Sequence, residues 1–170
     1  MVCSLITSGR GLGAKYFLNR GTAEARRGEY VAAIADFTRA IKLDPNLGDA
    51  YLYRGWAHGS NGDYNAAIID YTRTIELHSN LANAYCSRGW ARELKGDYDG
   101  VIRDESVAIQ LDPTIANAYC DRGLALERKG DYKGAAADEA RAYELDPDHP
   151  TPHAGKKQRT GIDWRMDRVW

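Results

Sequence analysis

Between residues 48 and 81 the apolar positions follow a helical period twice over. Tyr51, Gly55 and His58 recur at spacings of four and three, which places them on one helical face. Gly62 follows, and glycine is the residue most at ease in the left-handed conformation that ends helices. After Asp63 the apolar positions resume at Ala67, Ile68, Tyr71, Ile75 and Leu77. This stretch therefore predicts two helices joined by a tight turn. Elsewhere the equivalent second helix runs into Asp44-Pro45, Asp112-Pro113 or Asp146-Pro147. Proline cannot continue a helix and restricts the residue before it, so each pair predicts a stop. Here His78-Ser79 takes that place, which predicts a softer end.

The same arrangement returns at every shift of 34 residues. Phe17, Tyr51, Tyr85 and Tyr119 are related in this way, as are the turns Gly28-Glu29-Tyr30, Gly62-Asp63-Tyr64, Gly96-Asp97-Tyr98 and Gly130-Asp131-Tyr132. Four units follow without insertion: 14–47, 48–81, 82–115 and 116–149. Gly21, Gly55, Gly89 and Gly123 face Ala33, Ala67, Val101 and Ala135 in this register, so small residues let the paired helices approach closely. A single helix pair cannot bury its own apolar face. The units must stack.

Charge repeats with the same period. Arg20, Arg54, Arg88 and Arg122 are each followed, 16 residues later, by Asp36, Asp70, Asp104 and Asp138. A guanidinium matched every time by a carboxylate on the neighbouring helix predicts a bidentate bridge within each unit. The third unit adds Arg92 and Glu105, predicting a small ionic network there. Repetition marks these residues as structural ion pairs, not as a catalytic carboxylate set.

The period, the aromatic–glycine–Gly-Asp-Tyr–alanine–Leu-Asp-Pro order and the paired helices resemble the tetratricopeptide repeat family over 136 of 170 residues. The resemblance implies an all-α fold, an α-solenoid of antiparallel helix pairs in a right-handed superhelix. It also implies that the first helices line a concave groove. The chain departs from the family pattern at Arg20, Arg54, Arg88 and Arg122, where leucine is usual, and at Glu24, His58 and Arg92, where tyrosine is usual.

By that resemblance the peptide-binding groove falls on Leu18, Leu52, Cys86 and Cys120, then Thr22, Trp56, Trp90 and Leu124. Asn19, Tyr53, Ser87 and Asp121 flank them, with Lys15, Asp49, Asn83 and Asn117 nearer the helix starts. A fully buried tryptophan hides roughly 150–250 Å², worth about 4–6 kcal/mol at 25 cal/mol per Å². Trp56 and Trp90 in open water would forgo much of that, and a partner's amphipathic helix or apolar peptide would recover it. The competing reading has both rings packed between neighbouring first helices, with no ligand needed. Family members that hold acidic chaperone tails use a clamp of lysine, asparagine and arginine. Leu18, Thr22, Tyr53, Asn83 and Ser87 stand at those sites, so no such clamp is expected.

The chain outside the repeats differs in character. Residues 1–13 read as a flexible leader, and 150–170 as a tail in which Pro150, Pro152, Gly155 and Gly161 interrupt any helix. Residues 14–149 carry 17 basic and 22 acidic side chains, a net charge of −5, whereas the tail carries five basic and two acidic, a net charge of +3. Ile162, Met166, Val169 and Trp170 share one helical face, with Trp164 beside them. A short helix there would cap the last repeat, or enter a groove of the same or another copy and support self-association.

Composition narrows the remaining classes. With 44% hydrophobic and 28% charged residues the chain matches an average globular protein. No apolar run is long enough to span a bilayer, and MVCSLITSGR is too short and polar for a secretory signal, which points to the cytoplasm. A formal net charge of −1 offers no basic face for nucleic acid. Three cysteines without a C-x-x-C pair suggest neither zinc nor disulfides; His149 and His153 are separated by two prolines that spoil a helical metal site. No phosphate loop or nucleophile motif stands apart from the repeat, so neither an enzyme nor a cofactor is expected. The sequence reads as a non-catalytic protein-interaction module, with a homo-oligomeric scaffold built through the tail as the second reading.

Overall fold

A computed structural model describes residues 2–78 and 80–148. Every regular element among them is an α-helix, eight in all: α1 (Val2–Arg26), α2 (Tyr30–Leu43), α3 (Gly48–Ser60), α4 (Tyr64–Leu77), α5 (Ala82–Leu94), α6 (Tyr98–Leu111), α7 (Ala116–Arg128) and α8 (Tyr132–Leu145). The chain divides into two compact units, Met1–Ser79 with α1–α4 and Asn80–Trp170 with α5–α8. In the first, α1 packs on α2, α3 on α4, and α2 and α1 both meet α3. The second repeats this order with α5 on α6, α7 on α8, and α6 and α5 both meeting α7.

Local chemistry sets the helix ends. Gly28, Gly62, Gly96 and Gly130 adopt φ between 77 and 87°, the left-handed region closed to most side chains. The backbone then closes in the same way each time: Gly62 N–H donates to the Gly59 carbonyl and Asp63 N–H to the His58 carbonyl. Asp63, Asp97 and Asp131 next cap the second helices by accepting from the N–H of Ala66, Gly100 and Gly134 at 2.9–3.0 Å. Glu29 makes no such cap; its carboxylate pairs with Arg27 instead. All four second helices end in register at Leu43, Leu77, Leu111 and Leu145. The end at His78 is thus as sharp as the others, and its ring lies directly against Gly48, where a Cβ would collide.

Glycine allows the close approach within each pair, but the neighbour is larger than alanine. A Cβ at Gly21 would lie 2.9 Å from the Phe37 ring, and one at Gly55 3.0 Å from the Tyr71 ring. In the third repeat the fully buried Glu105 takes the aromatic's place against Gly89. Only Gly123 faces mainly the Ala135 backbone, at 3.3 Å. The core of the first unit gathers Ala25, Ala33, Phe37 and Ala57, with Leu18, Tyr30, Ile34, Tyr53 and Trp56 packed around it. Helix α1 begins well before the repeat boundary at residue 14, and Gly13 on this extension sits beside Leu43.

Candidate functional site

The repeated arginines lie on the first helix of each pair and the aspartates on the second. Arg54 holds Asp70 by two parallel bonds, Nε to Oδ2 at 2.8 Å and Nη2 to Oδ1 at 2.7 Å. Arg88 holds Asp104 at 3.0 and 2.8 Å, and Arg122 holds Asp138 at 2.7 Å through both bonds. Arg20 bridges Asp36 in the same fork. Each guanidinium also lies over the aromatic ring one turn earlier, 5.3–5.7 Å from the centroid of Phe17, Tyr51, Tyr85 or Tyr119. A third contact reaches back to the preceding repeat: Arg54 Nη1 donates to Thr38 Oγ1 and Arg122 Nη1 to Ser106 Oγ, both at 3.1 Å. Leucine in these positions could make none of these polar contacts, which accounts for the departure from the family pattern.

Environment grades the four pairs. The Arg20 side chain is 41% exposed, against 14% for Arg88. Asp104 receives a second cation, since Arg92 Nη1 donates to its Oδ2 at 2.8 Å while also reaching the Gly100 carbonyl at 3.2 Å. The hydrogen bonds from Arg20 hold the Asp36 carboxyl below the ordinary carboxylate range, against the opposing effect of burial, and Arg39 adds to the depression. A depressed carboxylate contributes stability above its unfolded value and loses it as pH falls through the folded value. The stability gap between wild type and Asp36→Asn, read as urea midpoints, is therefore expected at neutral pH and should narrow on acidification.

The residues assigned to a groove lie on first helices that touch within each unit. In the first unit, α1 contributes Leu18 and Thr22, both half-buried, and the exposed Asn19 and Lys15. Helix α3 contributes the buried Leu52, the half-buried Tyr53 and Trp56, and the exposed Asp49. Trp56 meets the edge of Tyr30 at 5.5 Å between centroids, and Tyr53 leans on Phe37 at 6.1 Å. Burial raises the Tyr53 hydroxyl above its ordinary pKa. Both rings thus spend one face on the core and keep another toward solvent.

The second unit is more polar. Helix α5 places Cys86 and Ser87 half-buried, Asn83 exposed, and Trp90 only 8% exposed, so little of that indole remains for a ligand. Helix α7 places Cys120 and Asp121 in buried positions and Leu124 in a half-buried one. Asn117, one turn before Cys120 and Asp121, is 9% exposed, and its Oδ1 is buried without a hydrogen-bond partner. An unmatched buried acceptor costs about 1–3 kcal/mol.

Two features escaped the sequence reading. The hydroxyls at Thr38 and Ser106 share the 34-residue register with Thr72, a signal visible in the repeat itself. The burial of Asn117 had no such signal, since it depends on what surrounds the side chain. No disulfide joins Cys86 and Cys120. Among the described residues no cluster of ligating side chains could hold a metal ion, and no helix is long and apolar enough to cross a membrane. Ile162, Trp164, Met166 and Trp170, like His149 and His153, lie outside the described residues.

Comparison with known proteins gives a consistent picture. Family models described as tetratricopeptide repeat match residues 14–47, 37–69 and 101–150. No curated protein sequence matches. Among solved structures, a crystal structure of MamA is 28% identical, with a TM-score of 0.77, over 79% of this chain and 78% of that one. MamA from Desulfovibrio magneticus RS-1 is 25% identical, with a TM-score of 0.74, over 81% of this chain and 78% of that one. The first tetratricopeptide domain of Spaghetti (RPAP3), solved with the HSP90 peptide SRMEEVD, shares the fold at 20% identity and a TM-score of 0.69, over 71% of this chain and 95% of that one. With eight helices in four pairs among the described residues, a 34-residue period and these matches, the chain belongs to the tetratricopeptide repeat family.

Proposed function

We propose that this chain is a non-catalytic module that holds a segment of a partner protein along its first helices. The fold itself is that of a protein–protein interaction module. The observation that carries the finer reading is the Asn117 carboxamide oxygen, buried and without a partner on the same face as Cys120, Asp121 and Leu124. Turned outward on a new rotamer, that oxygen would accept a peptide N–H laid along α7, while half-buried side chains such as Leu124 supply apolar contact. In the first unit Leu18, Thr22 and Trp56 offer the corresponding apolar strip. The RPAP3 domain is seen with an acidic HSP90 peptide. The absence of clamp cations at Leu18, Thr22, Tyr53, Asn83 and Ser87 favours a different ligand here, one read by apolar side chains and backbone hydrogen bonds.

The test is a peptide selected by display against the full chain, followed by titration of Asn117→Ala. The variant should bind about three- to tenfold more weakly, the worth of one hydrogen bond. Its urea midpoint should stay level or rise, because an unmatched polar atom has been removed. Undiminished binding together with a lowered midpoint would make Asn117 a packing residue and defeat the reading.

A further inference from the structure

We propose that residues 162–170 dock on the outer face of α8 in the same chain. That face is a stripe formed by Tyr132, Ala136, Ala140 and Tyr143, which share one side of the helix by their spacings of three and four. Tyr132 is 70% exposed and Tyr143 57%, and both alanines are exposed. One repeat earlier the equivalent residues Tyr98, Ile102, Ser106 and Ile109 are all half-buried, on a helix that packs against α7. Helix α8 thus presents, to solvent, the side that its predecessor covers.

The chemistry of the stripe disfavours the obvious occupants. Residues from 150 onward cannot supply a fifth first helix: Pro152 stands where Ala50, Ala84 and Ala118 are fully buried, and Lys157 stands where Gly55, Gly89 and Gly123 make room for the partner helix. A second copy stacked end to end would bring α1 against the stripe. Ala23 keeps the small residue of Ala57, Ala91 and Ala125, but the bulky, exposed Tyr16 fills the position of the buried Ala50, Ala84 and Ala118. Arg20 of that copy would find Ala140 in place of the hydroxyls that receive Arg54 and Arg122. Helix α1 also continues back to Val2, past the register at which α3, α5 and α7 begin, and in a stacked copy this extension would meet the turn that follows α8.

The tail fits where these fail. Its connector, 150–161, reaches up to roughly 40 Å when extended, against about 21 Å for the length of a 14-residue helix such as α8. Ile162, Met166, Val169 and Trp170 give residues 162–170 an apolar face. Charge agrees as well. Lys129 on α7 pairs with Asp99 at the start of α6, at 3.0 Å, but the residue equivalent to Asp99 on α8 is Lys133. The sign is reversed, so an acid on the occupant would complement Lys133, and Asp163 and Asp167 lie one turn apart in the tail, interleaved with Arg165 and Arg168. Tethering supplies the local concentration that a nine-residue helix needs in order to form.

Hydrogen exchange on the full 18.9 kDa chain tests this. Amides of 162–170 should exchange at least tenfold more slowly than an unstructured chain, equally at low and high protein concentration. Ala136→Arg, at an exposed site that does not need repacking, and Met166→Asp in the tail should each abolish that protection and speed exchange in α8, leaving α5 and α6 unchanged. Tail amides at the unstructured rate would overturn the proposal. So would protection that grows with concentration, which would place the tail on a second copy, or protection that survives Ala136→Arg, which would place it elsewhere.

Discussion

Replacing Asp104 with alanine is expected to lower stability by about 3–5 kcal/mol, because two guanidinium groups lose their carboxylate at once. Arg88 grips both oxygens and Arg92 shares Oδ2, with the arginine side chains only 14% and 20% exposed and Asp104 only 3%. Water cannot fully replace the lost partner at such depth. Asp36→Ala should cost less, since the 41%-exposed Arg20 can turn to solvent. Against a total of about 5–15 kcal/mol for a domain of ordinary stability, the Asp104 variant approaches unfolding. Urea midpoints for the two variants provide the comparison. Exchange of α5 and α6 amides should rise first, because repeats depend on their nearest neighbours. Equal midpoints for Asp104→Ala and wild type would show the pair to be idle.

Phe37→Ala is expected to cost about 3–5 kcal/mol, the usual penalty for emptying an aromatic site in a packed core. Phe37 is completely buried, its ring touches Gly21, and Tyr53 leans on it. The cavity cannot be filled by a neighbouring side chain at Gly21, since none exists. A second readout follows from Tyr53, whose hydroxyl is raised above the ordinary value by burial. Opening the site should return it toward normal in a spectrophotometric titration. A variant with a wild-type midpoint and an unmoved Tyr53 would contradict this account of the core.

The helix pairs were legible in the sequence because each signal was local or periodic. Glycine turns, Asp caps and Asp-Pro stops act within a few residues of one another, and the Arg–Asp partners recur at one fixed separation. Depth of burial was not legible, because it depends on the bulk of neighbours that the period does not specify. Trp56 and Trp90 hold the same register, yet Trp56 is half-buried against Tyr30 while Trp90 is 8% exposed. Glu105 likewise occupies the register of Phe37 and Tyr71; its charge predicted a part in the ionic network of the third unit, not its complete burial against Gly89. The start of α1 was hidden for a different reason: residues 2–13 have no counterpart in the repeat to compare with.

The most direct test of the binding account is a nuclear magnetic resonance titration of the full chain with a display-selected peptide. Shift changes should concentrate on the first helices, at Leu18, Thr22 and Trp56 in one unit and at Ser87, Asn117, Asp121 and Leu124 in the other. Changes confined to exposed positions of the second helices, such as Val31 and Ile69, would contradict it.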